Sequence, residues 1–419
     1  MKKAIAALLV TALLLSLTAL GGCAKKDEPI KVTIFQQKIE IDEALKAAAA
    51  AYNEEHPDTI VEIETVGTNY TTTLKTKFSS NQGPTIFQTN GYNDMALWTD
   101  YLEDLSDEPW VQYMPEVATS TVSIDGKVMG FPLAMEGNGC VYHTDVFADA
   151  GITELPTTLS EFRAVCETLK EAGYSEGPIS NEYSSYYQAG MFIFSMGIAM
   201  QEDPLAFIEG LNDGSETFVG NEAFIQLTKW IDTDIEFGER PFNTDFAAEV
   251  ASFTNGDTAM MFGGSYSQPS LDAVDPDMEV SMFPFTISED AAENDYLFVS
   301  STPVWHINKD AEGVEAAKDF LEWLSCTEEG QKYLNSEMRL VPALTNIPVD
   351  EAAVGPLGAV LKTYIDAGKV RGIYNALYPE GEGSAQLLGD AVCAYAAGQY
   401  TVDEFLQAAQ DIWTNSIAG

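Results

Sequence analysis

Apolar and polar positions along the chain predict strands and helices in alternation. Residues 32–35 are rich in β-branched and aromatic side chains, as are residues 60–66, so each predicts a strand. Between them, four apolar residues recur at helical spacing: Ile41, Leu45, Ala48 and Tyr52. This helix is predicted to end at Pro57, because proline cannot continue the hydrogen-bonded backbone. Strand, helix and strand within about 35 residues form a βαβ unit.

Later segments continue this alternation. A third strand is predicted at residues 84–88 and a helix at residues 93–101, with Trp98 and Leu102 facing inward. Two later helices carry capping-box spacings at their starts: Thr158 with Glu161, and Thr401 with Glu404. Alternation over this length predicts an α/β protein with a mostly parallel sheet.

Composition and charge exclude several classes of protein. The 419 residues are long enough for two or three domains, and 46% hydrophobic residues with a mean hydropathy of −0.07 exclude a disordered or fibrous chain. The balance of 21 Lys and Arg against 65 Asp and Glu gives a net charge of −44. Nucleic acids and anionic membranes would be repelled, so we expect no nucleic-acid partner and no membrane binding through basic residues.

The N-terminus predicts export and lipid attachment. Lys2 and Lys3 precede an apolar stretch at residues 4–20, which is at the short limit for an uncleaved anchor across about 30 Å of hydrocarbon. The segment from Leu20 to Cys23 resembles the lipobox of bacterial lipoproteins. We therefore predict a signal peptide at 1–22, lipid on Cys23, a tether at 23–30, and an extracytoplasmic protein held at the outer face of the cell membrane.

Four further cysteines follow in the chain: Cys140, Cys166, Cys326 and Cys393. In an exported protein they could pair in three ways, and their spacing selects none of these. Their wide separation and apolar neighbours favour buried free thiols.

Motifs for catalysis are missing from the sequence. His56, His143 and His306 lie far apart, and the sequence contains no metal-binding histidine pair, no nucleophile elbow and no phosphate-binding loop. Close acid pairs such as Asp232 with Asp234 are expected by chance in so acidic a chain. We predict no catalytic residue, no metal and no cofactor.

Five segments together resemble the bacterial family 1 extracellular solute-binding proteins. They are DGKVMGFP at 125–132, VYHTDVF at 141–147, NGDTAMM at 255–261, AAKDFL at 316–321 and GQYTVDE at 398–404. Their order and spacing hold over most of the chain, from about residue 31 to about residue 413. Members of this family are the lipid-anchored receptors of ABC importers for sugars.

The resemblance implies a fold and a division of the chain. The fold would be an α/β, periplasmic-binding-protein-like type II structure, with two lobes, a hinge and a ligand cleft between them. Residues 31–138 plus 302–345 would form the N-terminal lobe, and residues 139–301 plus 346–419 the C-terminal lobe. Hinge closure on a solute is typical of such proteins. The partners would be a carbohydrate and the membrane subunits of an ABC permease, and we expect a monomer.

Candidate ligand-binding residues come from two arguments. In α/β lobes the ligand sits beyond the carboxyl ends of strands, which selects five residues: Gln36, Gln37, Asn90, Tyr92 and Asp94. The resemblance adds four more: Glu136, Tyr186, Tyr266 and Trp305. It implies that Glu136, together with Asp94 from the first set, would bind hydroxyls and that Tyr266 would stack on a sugar ring. Tyr186 is favoured over Tyr183 and Tyr187 as a further aromatic, and Trp305 would either stack on ligand or pack. A stacking position near the C-terminus holds Ala385 instead.

These observations predict a carbohydrate-binding lipoprotein that captures a neutral oligosaccharide and delivers it to a permease. One alternative is a surface carbohydrate-active enzyme whose acid pair the sequence does not reveal. The other is the same fold binding a cationic solute such as a polyamine.

Overall fold

In a computed structural model, the chain forms two β-sheets with helices around each. The structure describes residues 28–66, 69–183, 187–240, 245–379 and 382–418. The predicted signal peptide and Cys23 lie outside these residues. Within the described part of the chain, no single helix is long and apolar enough to cross a membrane, although the bent pair Gln188–Ala199 and Pro204–Asp213 passes on length and composition alone.

The first sheet collects strands from distant parts of the sequence. They are β1 (Ile30–Gln36), β2 (Thr59–Thr65), β3 (Ile86–Thr89), β6 (Phe131–Pro132) and β12 (Val304–Ile307), in the spatial order β2-β1-β3-β12-β6. β1 runs parallel to β2 and β3, whereas β12 runs antiparallel to β3 and β6. A small hairpin of β4 (Ser123–Ile124) and β5 (Lys127–Val128) lies apart from this sheet.

The second sheet is organised around one long strand, β7 (Glu136–His143). Its other strands are β8 (Ile179–Ser180), β9 (Met260–Gly264), β10 (Val280–Phe283), β11 (Leu297–Ser300) and β13 (Val370–Gly372). β7 pairs antiparallel with β9, β10 and β11, while β8 with β9 and β11 with β13 are parallel. The prediction of a mostly parallel sheet is therefore wrong for this half, because the three strands that pair with the central strand β7 all run antiparallel to it.

Helices cover both sheets. Those with the first sheet are α1 (Asp42–Glu55), α2 (Tyr70–Ser79), α3 (Tyr92–Ala96), α4 (Glu116–Thr121), α13 (Val314–Cys326) and α14 (Glu328–Lys332). Those with the second are α5 (Thr144–Asp149), α6 (Leu159–Ala172), α7 (Phe194–Ala199), α8 (Pro204–Asp213), α9 (Glu222–Phe237), α10 (Phe246–Thr254), α11 (Gln268–Val274), α12 (Ala291–Asn294), α15 (Glu351–Asp366), α16 (Glu382–Ala396) and α17 (Val402–Ala418). Short turns are 3₁₀ at Ile39–Ile41, Thr99–Tyr101, Val111–Tyr113, Ser265–Ser267 and Asn375–Leu377, and π at Tyr187–Ile193 and Tyr333–Glu337.

Each sheet has its own core. In the first, the predicted inward face of α1 buries Leu45, Ala48 and Tyr52, and the Tyr52 ring meets Phe320 edge-on at 5.1 Å. Such aromatic pairs add about 1 kcal/mol beyond the area that they bury. A separate apolar cluster, including Ala118, Met135, Val341 and Leu357, joins the two halves near the chain crossings.

The chain passes from the first sheet to the second between Pro132 and Glu136, and returns between Ser300 and Val304. Since β7 begins at Glu136, the first crossing precedes the predicted boundary at 139. Likewise Ile30, predicted to belong to the tether, is the first residue of β1. The lobe boundaries as predicted remain a prediction.

Helix ends agree with the sequence in part. The box at Thr401 is complete, because the Glu404 N–H donates to the Thr401 hydroxyl and the Glu404 carboxylate accepts from the Thr401 N–H. At Thr158 the box is half formed, since the Glu161 carboxylate accepts from Thr157 instead. The single helix predicted at residues 93–101 is wrong: α3 ends at Ala96, whose carbonyl accepts the Thr99 hydroxyl, and a 3₁₀ turn follows.

Burial of the cysteines is mixed. Cys140 and Cys166 are buried, Cys393 is half-buried and Cys326 is exposed, and these four thiols are free. The prediction of buried free thiols is thus wrong for Cys326, which ends α13 where the helix reaches the surface.

Candidate functional site

A cleft of about 490 Å³ lies between the two sheets and draws its walls from both. The first sheet contributes residues that follow β1 and β3, whose carboxyl ends meet at one edge because the strands are parallel. The second contributes residues from the start of β7, the end of β11 and the segment after β13. The place that the sequence predicted for a ligand is therefore a real concavity.

Gln37 and Asn90 lie in this cleft as predicted, and both are exposed. The Gln37 N–H donates to the Gln88 Oε1 at 2.9 Å, which fixes the loop after β1. Gln88 itself also lines the cleft, although the sequence argument treated it only as part of a strand. The strand ends therefore offer the amide side chains of Gln37 and Asn90, and the amide of Gln88 orders the backbone at Gln37.

Gln36 is placed differently from its prediction. Its side chain is fully buried, its Nε2 donates to the Thr65 hydroxyl at 2.6 Å and to the Lys38 carbonyl at 2.9 Å, and its Oε1 accepts from the Lys38 N–H at 2.6 Å. Successive strand residues point to opposite faces, so Gln36 turns inward where Gln37 turns out. The structure corrects its role to that of an internal brace.

Tyr92 and Asp94 order the loop after β3. The Asp94 Oδ2 accepts from the Asn90 N–H at 2.9 Å, which holds Asn90 at the cleft. Tyr92 lines the cleft, and its hydroxyl lies 3.0 Å from the Ser120 hydroxyl. Its ring lies 6.4 Å from the ring of Tyr374, which follows β13 of the second sheet. Tyr92 is thus a wall residue, and the hydrogen bond that Asp94 accepts supports Asn90.

Glu136 is the first residue of β7 and forms an ion pair with Lys38 across the cleft. Their Oε1 and Nζ atoms are 3.0 Å apart, and the Lys38 Nζ also lies 2.9 Å from the Glu40 Oε1. Burial acts to lower the pKa of Lys38, but the charges of Glu136 and Glu40 outweigh it and raise the pKa to about 12. The sequence reasoning missed Lys38, although a lysine two residues beyond a strand end was a visible signal.

Tyr266 lies on the 3₁₀ turn after β9 and is half-buried. It lines a second cavity of about 210 Å³, which also touches Glu136. Its ring is nearly parallel to that of Phe192, with centroids 6.2 Å apart, and Phe192 lines the main cleft. Phe192 was not predicted, because it sits inside an apolar run that resembles any buried helix.

Trp305 does not reach the cleft. It is fully buried in β12, between β3 and β6, and its ring lies 6.4 Å from that of Phe131. Of its two predicted roles, stacking on ligand is therefore corrected to packing in the first core. Tyr186 lies outside the described residues, while Tyr183 is 4% exposed and belongs to the second core.

The cleft is lined mainly by uncharged side chains that can form hydrogen bonds. Amides and hydroxyls line it, and its charged groups neutralise one another in part. Among the described residues, no histidine lines the cleft and no group of three or more His, Cys, Asp or Glu could hold a metal. His306 is bonded to Thr89 and Met129 inside the first core, where burial lowers its pKa to about 4.

Known proteins resemble the chain in sequence and in fold. The melibiose/raffinose/stachyose-binding protein MelE of Bacillus subtilis is 22% identical over 362 residues, covering 80% of each chain. The ligand-free structure of RafE from Streptococcus pneumoniae superposes with a TM-score of 0.78 at 16% identity, covering 93% of this chain and 99% of that one. A binding protein of Bacillus subtilis in an open conformation gives 0.76 at 18% identity, covering 92% and 97%.

These structural matches confirm the predicted α/β fold of two lobes with a cleft between them. The family described as bacterial extracellular solute-binding proteins matches residues 47–354, most of the chain. The matched range includes Gln88 and Asn90 from one wall of the cleft and Glu136 from the other. With its family matched over most of its length and its fold matched over nearly all of it, this chain belongs to the bacterial extracellular solute-binding proteins.

Proposed function

We propose that this protein captures a neutral oligosaccharide in the cleft between its lobes and delivers it to an ABC permease. The observation that carries the proposal is the lining of the cleft, where amides and hydroxyls from both lobes surround the half-buried ring of Phe192. Sugar hydroxyls need such partners to replace lost water, and the C–H faces of sugar rings pack on aromatic rings. MelE is a melibiose/raffinose/stachyose-binding protein and RafE has been solved in complex with raffinose, and both support the same ligand class.

Binding can be tested with sugars of graded length. Melibiose, raffinose and stachyose are a di-, a tri- and a tetrasaccharide, and each is expected to raise the melting temperature if it binds the folded state. Calorimetric titration would then give the affinity of each. Loss of one cleft hydrogen bond should weaken binding about fivefold in the Asn90→Ala variant. The matched control is Gln407→Ala, an exposed amide on α17 whose side chain bonds only within its helix.

Two results would contradict this ligand class. Stabilisation by spermidine and by none of a broad panel of sugars would favour a cationic solute, for which the two carboxylates around Lys38 would be the charge partners. New reducing ends after incubation with oligosaccharides would instead favour an enzyme.

Export and delivery form the second half of the proposal. The lipobox-like segment before Cys23 supports attachment to the outer face of the cell membrane, where a monomer would meet the permease. Cys23→Ser should release the protein into the soluble extracellular fraction, and retention at the membrane would refute the anchor. Delivery predicts that the liganded protein stimulates ATP hydrolysis by its permease in vesicles, and that the ligand alone does not.

A further inference from the structure

Two cavities meet at one ion-pair network. We name the main cleft the outer chamber and the cavity beside Tyr266 the inner chamber, with volumes of about 490 and 210 Å³. Among the described residues, three line both chambers: Lys38, Glu40 and Glu136. These are the members of the ion-pair network, so the Lys38 side chain lies in the wall between the chambers.

Both ends of this wall are held by rigid parts of the fold. Gln36 bonds the backbone N–H and carbonyl of Lys38, which fixes the point from which the side chain extends. Glu136 is opposite Ser300 in the β7–β11 ladder, and the next residue, Gly137, donates its N–H to the Ser265 hydroxyl at 3.1 Å. The ammonium and the carboxylate are therefore set by the two lobes and not by a flexible loop.

The charges favour a closed wall. Lys38 and Glu136 expose only 17% and 23% of their side chains, so water screens their attraction less than that of a surface pair. Moving the ammonium away would leave the partly buried Glu136 without this partner and close to the charge of Glu40. With its pKa raised to about 12 by these carboxylates against the effect of burial, Lys38 keeps its charge at any physiological pH.

The two chambers differ in chemistry. The outer chamber offers polar groups for hydroxyls, including Gln37 and Asn90. The inner chamber is lined largely by aliphatic side chains such as Met135, Val341 and Val354, with the Tyr266 ring at one side. An oligosaccharide bound in the outer chamber would end at the wall, while a longer one would need the space behind it.

We propose that Lys38 is a specificity-determining residue whose side chain separates the two chambers and so limits the length of ligand that the cleft admits. This inference rests on the proposed function, because it assigns one end of a bound oligosaccharide to the Lys38–Glu136 pair. It makes Lys38 a residue that selects among ligands and not merely one that stabilises the fold.

The test compares Lys38→Ala with Lys318→Ala. Lys318 is a matched control, because its side chain is also 17% exposed and bonds to Glu103 at 2.7 Å, yet it lines neither chamber. Titrations with melibiose, raffinose and stachyose give the ratio of the Kd for stachyose to that for melibiose. We expect Lys38→Ala to lower this ratio about tenfold, and Lys318→Ala to leave it unchanged. If Lys38→Ala does not fold, Lys38→Ala/Glu40→Gln removes one of the two facing carboxylates.

Other outcomes would overturn the inference. An equal loss of affinity for all three sugars would make Lys38 an ordinary ligand contact, and an unchanged ratio would leave it no role in selection. If the wild type binds none of these three sugars, the broad panel of sugars decides about the ligand class, and the crystal structure of ligand-free Lys38→Ala decides whether Lys38 separates the chambers. One continuous cavity would uphold the separation by Lys38, whereas two separate cavities would refute it.

Discussion

The buried side chain of Gln36 forms two hydrogen bonds with the backbone of Lys38. Its Oε1 accepts from the Lys38 N–H at 2.6 Å, and its Nε2 donates to the Lys38 carbonyl oxygen at 2.9 Å. A residue with no exposed surface thereby sets the position of the ammonium that joins the two lobes. The direction of the Lys38 side chain thus depends on the Gln36 amide inside the core.

Gln36→Leu should destabilise the protein by about 1–3 kcal/mol, because the Lys38 backbone groups and the Thr65 hydroxyl lose a buried partner. The measurement is urea unfolding. Gln37→Leu is the neighbouring control, since this exposed side chain should change stability by less than about 0.5 kcal/mol. Gln37→Leu should instead weaken sugar binding about fivefold, because this side chain lies in the cleft. Equal stability of the two variants would contradict a stabilising role for the buried hydrogen bonds of Gln36.

Substitutions at Trp305 and Phe192 should distinguish a residue that packs in the core from one that binds ligand. Trp305→Phe shrinks a fully buried ring and should cost about 1–2 kcal/mol of stability while sugar affinity stays within about twofold. Phe192→Leu removes a half-buried ring from the cleft wall and should weaken sugar binding about fivefold, the value of one aromatic contact. Unfolding and titration of both variants check this. A large loss of affinity in Trp305→Phe would restore the stacking role.

Asp234 should make stability depend on pH. It is fully buried and accepts from the Asn181 amide at 2.6 Å, and burial raises its pKa to about 7, against the smaller opposing effects of Tyr183, Asn181 and Arg240. The folded state therefore holds this proton more tightly than the unfolded state, whose value is near 3.8. Its contribution is complete below pH 4 and is lost as the pH rises to about 7.

The check is the difference in unfolding free energy between wild type and Asp234→Asn from pH 4 to pH 8. Asparagine keeps an oxygen for Asn181 but cannot ionise, so the variant should gain stability relative to wild type by a few kcal/mol over this range. A difference that does not change with pH would show that Asp234 does not titrate there. Asp232→Asn, at an exposed position on α9, is the control for the general effect of lost charge.

The cysteines should react in order of exposure. In an unlipidated Cys23→Ser protein, Cys326 should be alkylated first, because its thiol is exposed. Cys393 should follow slowly, since burial raises its pKa to about 11 and its thiol donates to the Tyr183 carbonyl. Cys140 and Cys166 should react only on unfolding. Mass spectrometry of timed alkylation checks this, and rapid modification of Cys140 or Cys166 in the folded protein would contradict their burial.

The sequence alone determined the class of fold, the family and the strand ends at which the cleft lies. Hydrophobic spacing places β1, α1 and β2 to within about two residues, because local periodicity reflects which face of an element is buried. The order of the motifs indicated the family, because each motif is a continuous stretch of sequence that can be recognised without the fold. Gln37 and Asn90 followed from a rule about strand ends and needed no knowledge of their neighbours.

Only the tertiary structure decided which of these side chains face the cleft. Alternation along β1 shows that Gln36 and Gln37 point to opposite faces, but the sheet and helices packed around them determine which face is inward. Trp305 is buried because β12 lies between β3 and β6, strands more than a hundred residues away in the chain. The pair of Lys38 with Glu136 joins residues 98 apart, and such contacts depend on how the two lobes meet, which no local pattern records.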